Sequence, residues 1–227
     1  MNIIVTVRTR DEENNISRFC KTYQWADKIL VADGGSEDKT VKKALEYKNV
    51  EVRNFKYKVF GKQKLWRNPH GKHMNFLWNW AIEEGADWII FDDCDCVPTR
   101  ILQTNARLIM ENCPEGAIFA FRMYIYGKDR YFPKMNDPGQ SIWAWMPSKH
   151  NIYASEENPW KHCVRGIPEV GLKLDKPNCL LHYFCPNEST IDRKLEFYKQ
   201  SGQRPNALHP LDYCGNLREL PDWADWK

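Results

Sequence analysis

The sequence predicts an α/β fold with a mostly parallel central sheet flanked by helices, followed by an irregular C-terminal region. Three observations predict it. Strand-like and helix-like stretches alternate from the first residues, as parallel strands joined by right-handed crossovers require. Trp88-Ile89-Ile90-Phe91 is an uninterrupted apolar run, which suits a strand buried on both faces. Polar turns close the apolar runs, with Asp33-Gly34-Gly35-Ser36 after one and Asp92, Asp93 and Asp95 after another.

Ile3 to Val7 is β-branched and reads as the first strand. Residues 11 to 24 turn helical, because Ile16, Phe19, Cys20 and Tyr23 recur on one face and Asp11, Glu12 and Glu13 crowd the first turn. Lys28 to Ala32 is the second strand; Ser36 is placed to cap a helix carrying Val41, Ala44 and Leu45 on one face. Val50 to Val52 is a third strand. Met74, Leu77, Trp78, Ala81 and Ile82 have helical spacing up to Gly85 and deliver the chain into Trp88. Pro98 to Asn112 is a helix stopped by Pro114. Ala117 to Tyr126 alternates as one strand, turning at Gly127-Lys128-Asp129 into a partner at 130–132. Residues 133–178 are irregular and rich in Pro, Trp and His, the kind of segment that carries substrate contacts, and include Trp143, Trp145, Trp160, His162, Arg165 and Glu169. Cys179 to Phe184 is a short strand interrupted by His182, and a helix from Ser189 to Gly202 precedes an extended or partly disordered tail.

A chain of 227 residues can bury one good core. Its 33 basic and 30 acidic residues exclude a polyelectrolyte tail and leave room for a local basic patch. Eight cysteines without zinc-ligand spacing read as reduced thiols of a cytosolic protein. The first residues look like a strand rather than a signal peptide, and no apolar stretch has the length of a membrane span. Peripheral membrane contact stays open.

The grouped acids Asp92, Asp93 and Asp95 need a cation or unusual protonation to coexist. Oxygen ligands at a strand end suit Mg²⁺ or Mn²⁺ with a phosphate completing the shell; the plainer reading is a capped helix and a solvated strand end. Residues 53–82 hold Arg53, Lys56, Lys58, Lys62, Lys64, Arg67 and Lys72 but no acid. That stretch reads as a solvated loop, a positive rim facing phosphates, or a nucleic-acid groove in which Phe55, Tyr57, Phe60 and Trp66 interleave.

Three segments together carry a family resemblance. Ile4 to Ile16, Ile29 to Thr40 with its Asp-Gly-Gly-Ser-x-Asp-x-Thr turn, and Gly85 to Asp95 ending in Asp93-Cys94-Asp95 resemble family-2 glycosyltransferases. The resemblance covers residues 2 to 100 well and the rest loosely. It implies a GT-A, Rossmann-like fold, with one domain over 1–202 and a tail over 203–227. Within that domain, 1–100 would bind the nucleotide-sugar and 101–202 would form the acceptor side. It implies that Asp33 contacts the nucleobase, the alternative being a turn-forming Asp before Gly-Gly. Thr6, Arg8 or Glu12 would line the nucleotide pocket. Asp93 and Asp95 would hold Mn²⁺ or Mg²⁺ against the diphosphate, with Asp92 a third acid that could ligate in place of either, and Lys72 or Arg67 assisting. His182 resembles a late histidine near the metal or diphosphate; a core histidine is the other reading.

The expected reaction is inverting sugar transfer from a nucleotide-diphosphate-sugar to a hydroxyl of a glycan, lipid-linked or protein-linked acceptor, with no nucleic acid as partner. Inversion needs a carboxylate base, for which Glu169 is selected, with Glu156 and Glu157 as alternatives. A metal-dependent nucleotidyltransferase and a non-catalytic glycan- or nucleic-acid-binding module are the competing classes.

Overall fold

The computed structural model describes residues 1–55, 70–127, 130–131, 141–155, 164–185, 217–222 and 224–225. The first half forms β1 (Ile3–Thr9), α1 (Ile16–Thr22), β2 (Lys28–Asp33), α2 (Thr40–Ala44), β3 (Val50–Asn54), α3 (His70–Glu83) and β4 (Trp88–Phe91). The second half adds β5 (Cys96–Pro98), α4 (Arg100–Glu111), β6 (Ala117–Ala120), β7 (Arg122–Tyr126), β8 (Arg130–Tyr131) and β9 (Ser141–Trp145). It continues with β10 (Tyr153–Ala154), β11 (Val164–Arg165), β12 (Leu172–Leu174), β13 (Leu180–Cys185) and β14 (Arg218–Glu219).

The main sheet has the order β12-β6-β9-β4-β1-β2-β3. All its strands run parallel except β9, which is antiparallel to both β4 and β6. Both faces are covered, which is why β1 is β-branched almost throughout. Ile3, Val5 and Val7 pack with Ile16, Phe19 and Cys20 of α1, while Ile4 packs with Met74 and Leu77 of α3. Each such buried side chain contributes about 1.5–3 kcal/mol. Strand order reverses between β1 and β4, since β2 lies on one side of β1 and β4 on the other. The crevice beyond the carboxyl ends of strands at such a reversal is where open α/β sheets bind ligands.

A second sheet, β14-β8-β7-β13-β5, abuts the first where the chain passes from β4 into β5. The expected single strand over 117–126 is two strands, one in each sheet. Burial changes phase at the break: Ile118 and Ala120 are buried in β6, then Met123 and Ile125 in β7. Phe121 lies between, outside both strands.

Other elements depart from expectation. Ser36 does not cap a helix: its hydroxyl donates to Asp33 and accepts from Asp11 N at 2.9 Å, and Asp38 receives the amide of Thr40 at 2.8 Å. Residues 12–15 form turns rather than helix, with Glu12 O receiving the amides of both Asn15 and Ile16. The irregular segment contains β9, whose Trp143 and Trp145 are core residues, not substrate contacts. Part of the tail is ordered too: β14 pairs with β8, and Leu220 and Ala224 pack beside Met123 and Leu181. The expected helix over 189–202 lies outside the described residues. No helix among the described residues is long and apolar enough to cross a membrane.

Candidate active site

The carboxyl end of β4 delivers two carboxylates in opposite directions. Asp92 is fully buried, and its oxygens receive Tyr23 Oη at 3.0 Å, Arg122 Nη2 at 3.3 Å and the Asp93 amide at 3.0 Å. Burial pushes its carboxyl above the usual range, while the charge of Arg122 pulls the other way. Trp143 Nε1 donates to Tyr23 Oη at 3.3 Å, fixing the tyrosine that holds the acid. Asp92 is therefore an internal anchor. Asp93 is 38% exposed and reaches the crevice, where Arg8 Nη2 from β1 lies 3.3 Å from one oxygen and Arg122 Nη1 from β7 lies 3.4 Å from the other. Asp95 faces β13, with its Oδ1 3.3 Å from His182 Nε2 and its carbonyl accepting the Tyr183 amide at 2.8 Å. Antiparallel pairing of β13 with β5 sets His182 opposite Cys96 and so beside Asp95.

The Asp33 turn closes the carboxyl end of β2, next to that of β1. Asp33 is 3% exposed. One oxygen accepts the hydroxyls of Thr9 and Ser36, and the other accepts the amides of Gly35 at 2.9 Å and Ser36 at 2.8 Å. A carboxylate has about four acceptor positions, so the turn uses them all. This is the turn-forming reading of Asp33. Gly35 has φ +86, the left-handed region that suits glycine in such a turn. Phe55 follows β3 and stacks on the buried His73 ring, centroids 4.4 Å apart. His73 Nε2 lies 3.0 Å from Ala32 O, and burial, reinforced by Arg8, lowers its pKa to about 3.

Thr6 does not line a pocket: it is fully buried and its hydroxyl donates to Ile90 O at 2.8 Å, tying β1 to β4. Glu12 organises the turn after β1, its carboxylate accepting Asn15 Nδ2 at 2.7 Å and its amide donating to Thr40 Oγ1 at 2.7 Å. Lys72 is exposed in the first turn of α3, where the helix dipole adds positive potential. Arg53 belongs to the structure of the α3 end, over the Trp80 ring at 4.1 Å and within 3.6 Å of both Glu83 and Glu84. Lys56, Lys58, Lys62, Lys64 and Arg67 lie outside the described residues.

Glu169 is not brought to the acids. It precedes β12, whose Leu172 is level with Ile118 of β6; Ile118 is level with Ala144 of β9, and Ala144 with Ile90 of β4. Residues before Leu172 thus lie at the amino ends of the parallel strands, opposite the end that carries Asp92. Three strand spacings add a lateral separation of about 14 Å. Gly166, close against the Asn151 carbonyl, and Gly171, close against Ala117 O, hold this loop at that lower end. By contrast Ala154 of β10 exchanges hydrogen bonds with Asn75 of α3. Glu156 and Glu157 lie outside the described residues.

The model of the family described as Glycosyl transferase family 2 matches residues 4–167, well over half the chain. The protein belongs to glycosyl transferase family 2. Its fold is the GT-A fold: solved structures of S. aureus TarS superpose with a TM-score of 0.57 at 15% identity, covering 91% of this chain and 40% of that one. The shorter TarS 1–349 superposes with a TM-score of 0.56 at 15% identity, covering 91% and 66%. TarS 1–349 in complex with UDP-GlcNAc gives 0.56 at 14% identity, covering 91% and 67%. The chain thus spans less than half of the longer TarS structure. No curated protein sequence matches it significantly.

Family-2 membership directs attention to a divalent ion, and the side chains test that fit. Among the described residues no group of three or more His, Cys, Asp and Glu is gathered to hold a metal. Asp93 is gripped by two guanidinium groups, which disfavours a second cation on its oxygens. Asp95 Oδ1 and His182 Nε2, 3.3 Å apart, are an oxygen and a nitrogen of the donor types a divalent ion takes. Two protein donors leave the remaining positions to diphosphate oxygens and water, as Mg²⁺ and Mn²⁺ sites commonly do. Of the expected metal residues Asp93, Asp95 and His182, the structure thus sets Asp93 against two arginines and Asp95 beside His182.

Sequence reasoning missed Arg122, Tyr23 and Trp143. Arg122 lies on the face of its strand that the alternation assigns to solvent, and only the pairing of β7 with β13 carries it to the acids. Tyr23 is legible as a buried helix residue, with nothing local to announce its carboxylate partner.

Proposed function

We propose that this family-2 chain transfers a sugar from a nucleoside-diphosphate sugar to a hydroxyl acceptor, with inversion at the sugar carbon. The observation that carries this reading is the Arg8–Asp93–Arg122 cluster at the carboxyl end of β4, beside the β1–β4 strand-order reversal, with the Asp95–His182 pair following in the next turn. Bond cleavage builds oxocarbenium character on the sugar and negative charge on the departing diphosphate. A divalent ion bound by Asp95 and His182 would supply Lewis-acid stabilisation of that leaving group. Arg8 and Arg122 add fixed positive charge on the same side, and exposed Lys72 at the α3 head extends it. The Asp33 turn and Phe55 shape the end of the crevice beyond β2 and β3, the side left for the nucleoside. TarS, which shares the fold, was solved with UDP-GlcNAc; a UDP-sugar is accordingly the first donor to test here. The acceptor's proton goes to a carboxylate; the position of Glu169 at the amino ends of the parallel strands argues against it, which leaves Glu156 and Glu157 of the expected candidates.

The test is a panel of nucleotide-sugars assayed for release of nucleoside diphosphate with Mn²⁺, with Mg²⁺ and after chelation. Turnover of at least one donor with added metal is expected, and Asp95→Asn should reduce it by about 100-fold or more while the protein stays folded. Absence of turnover with every donor, or wild-type turnover by Asp95→Asn, overturns the reading.

A further inference from the structure

We propose that the face of β7 carrying Tyr124 and Tyr126 is a stacking platform for a carbohydrate acceptor, leading it from Arg130 to the Asp95–His182 pair. This inference rests on the transfer reading above and gives the acceptor a chemical class and a location. Strand alternation separates the two faces of β7. Met123 and Ile125 are buried in an apolar cluster with Val97 and Leu181, against which Leu220 and Ala224 of the tail pack. Tyr124 and Tyr126 lie on the opposite face with Arg122, and both stay partly exposed. In this they differ from Trp143 and Trp145, which are buried in the core of the main sheet.

Pairing across the second sheet puts this row beside the acids. His182 of β13 is level with Tyr124, with ring centroids 4.8 Å apart and planes tilted by 38°. His182 in turn lies 3.3 Å from Asp95, and Arg122, two residues before Tyr124, reaches Asp92 and Asp93. At the other end Arg130 of β8 pairs with Tyr126, its guanidinium carbon 5.6 Å from the ring centroid. From Arg122 to Tyr126 the strand covers about 13 Å, room for about two sugar rings. The C–H face of a pyranose is flat, apolar and slightly positive, and so complements the negative face of an aromatic ring. The hydroxyls around its rim accept from donors such as the exposed guanidinium of Arg130, to which an acyl chain offers nothing. The nucleoside has another place: the Asp33 turn lies across β1 at the ends of β2 and β3, whereas this row belongs to the sheet that begins after β4.

The experiment probes an oligosaccharide array with the labelled protein in UDP and Mn²⁺. The best-retained glycan is then titrated by calorimetry into the wild type, Tyr124→Ala, Tyr126→Ala and Tyr126→Phe, each checked for folding by its melting temperature; where Tyr126→Ala does not fold, Tyr126→Leu, apolar but not flat, takes its place. The wild type should retain at least one glycan longer than a single sugar. Tyr126→Ala should weaken it by about ten-fold or more, and Tyr126→Phe should stay within about three-fold, because the ring and not the hydroxyl carries the stacking. In transfer assays with that glycan the loss should fall on the acceptor's KM rather than on kcat, a split that a merely structural tyrosine would not produce. No glycan retained by the wild type, wild-type affinity in both alanine variants, or a loss in Tyr126→Phe as large as in Tyr126→Ala overturns the proposal. If under those outcomes the wild type still releases nucleoside diphosphate from a nucleotide-sugar, the donor reading stands without it. If glycan binding depends on the tyrosines but UDP does not bind and no donor is turned over, the platform stands as a glycan-binding face and the transfer reading falls.

Discussion

Asp33→Asn distinguishes a carboxylate that binds the nucleobase from one that builds the turn. In the structure Asp33 accepts two backbone amides and two hydroxyls while 3% exposed. An amide keeps one acceptor oxygen and replaces the other with donors, so two of the four partners lose their acceptor. A buried hydrogen bond contributes about 0.5–1.5 kcal/mol, and both hydroxyls can reorient, which puts the loss at about 1–2 kcal/mol. For a chain of this size, each kcal/mol lowers the melting temperature by about 2–4 °C. Asp33→Ala removes all four and should cost about 3 kcal/mol, or roughly 6–12 °C. Thermal unfolding by circular dichroism reads the stability, and UDP titration reads the affinity. Asp33→Asn should melt lower than the wild type while binding UDP within about three-fold of it, since less than 1 kcal/mol is at stake in binding. An unchanged melting temperature with UDP affinity down ten-fold or more would refute the turn assignment and restore the nucleobase contact.

Two other predictions follow from the geometry. His73 is fully buried with its pKa lowered from 6.5 to about 3, so as pH falls below 6.5 the unfolded chain takes the proton and the folded one does not; stability is lost through that window and unaffected above it. At pH 4.5 this amounts to roughly 2–3 kcal/mol, and urea midpoints of His73→Gln should show a correspondingly shallower fall than the wild type between pH 6.5 and 4.5; parallel curves would contradict it. Glu169→Gln should transfer sugar at the wild-type rate, whereas Glu156→Gln or Glu157→Gln should lose about 100-fold or more with donor binding intact; a dead Glu169→Gln would mean that the loop reaches the acids in the working enzyme.

What the sequence made legible was whatever short-range pattern encodes. The β1 alternation, the Trp88–Phe91 run and the Asp-Gly-Gly-Ser turn each announce themselves within a dozen residues, because burial on both faces and turn geometry act locally. Asp93 and Asp95 were legible as a motif, but their different partners were not. One turns to arginines from β1 and β7 and the other to a histidine from β13, and those pairings are set by strand order. Glu169 illustrates the same limit. Pro and Gly around it correctly indicate a loop, but which end of the sheet a loop occupies depends on whether its strand runs parallel to β6, which no local pattern states. β9 was hidden because its five residues, Ser-Ile-Trp-Ala-Trp, combine a burial pattern without clean alternation with neighbours rich in Pro and Lys.

The placement of Asp92 ties these threads to the fold as a whole. A fully buried carboxylate costs several kcal/mol unless it is paired and hydrogen-bonded. Its partners come from distant parts of the chain: Tyr23 after α1, Arg122 at the head of β7, and Trp143 of β9 behind the tyrosine. The main sheet alone therefore cannot present this acid in its working state, since Arg122 arrives only when the second sheet docks. His182 reaches Asp95 by the same docking, through β13 against β5. The expected division at residue 100 into a donor-binding half and an acceptor half consequently cuts through the acid cluster itself. The acids and Arg8 come from the first half, but Arg122, which bridges Asp92 and Asp93, and His182, which lies beside Asp95, come from the second.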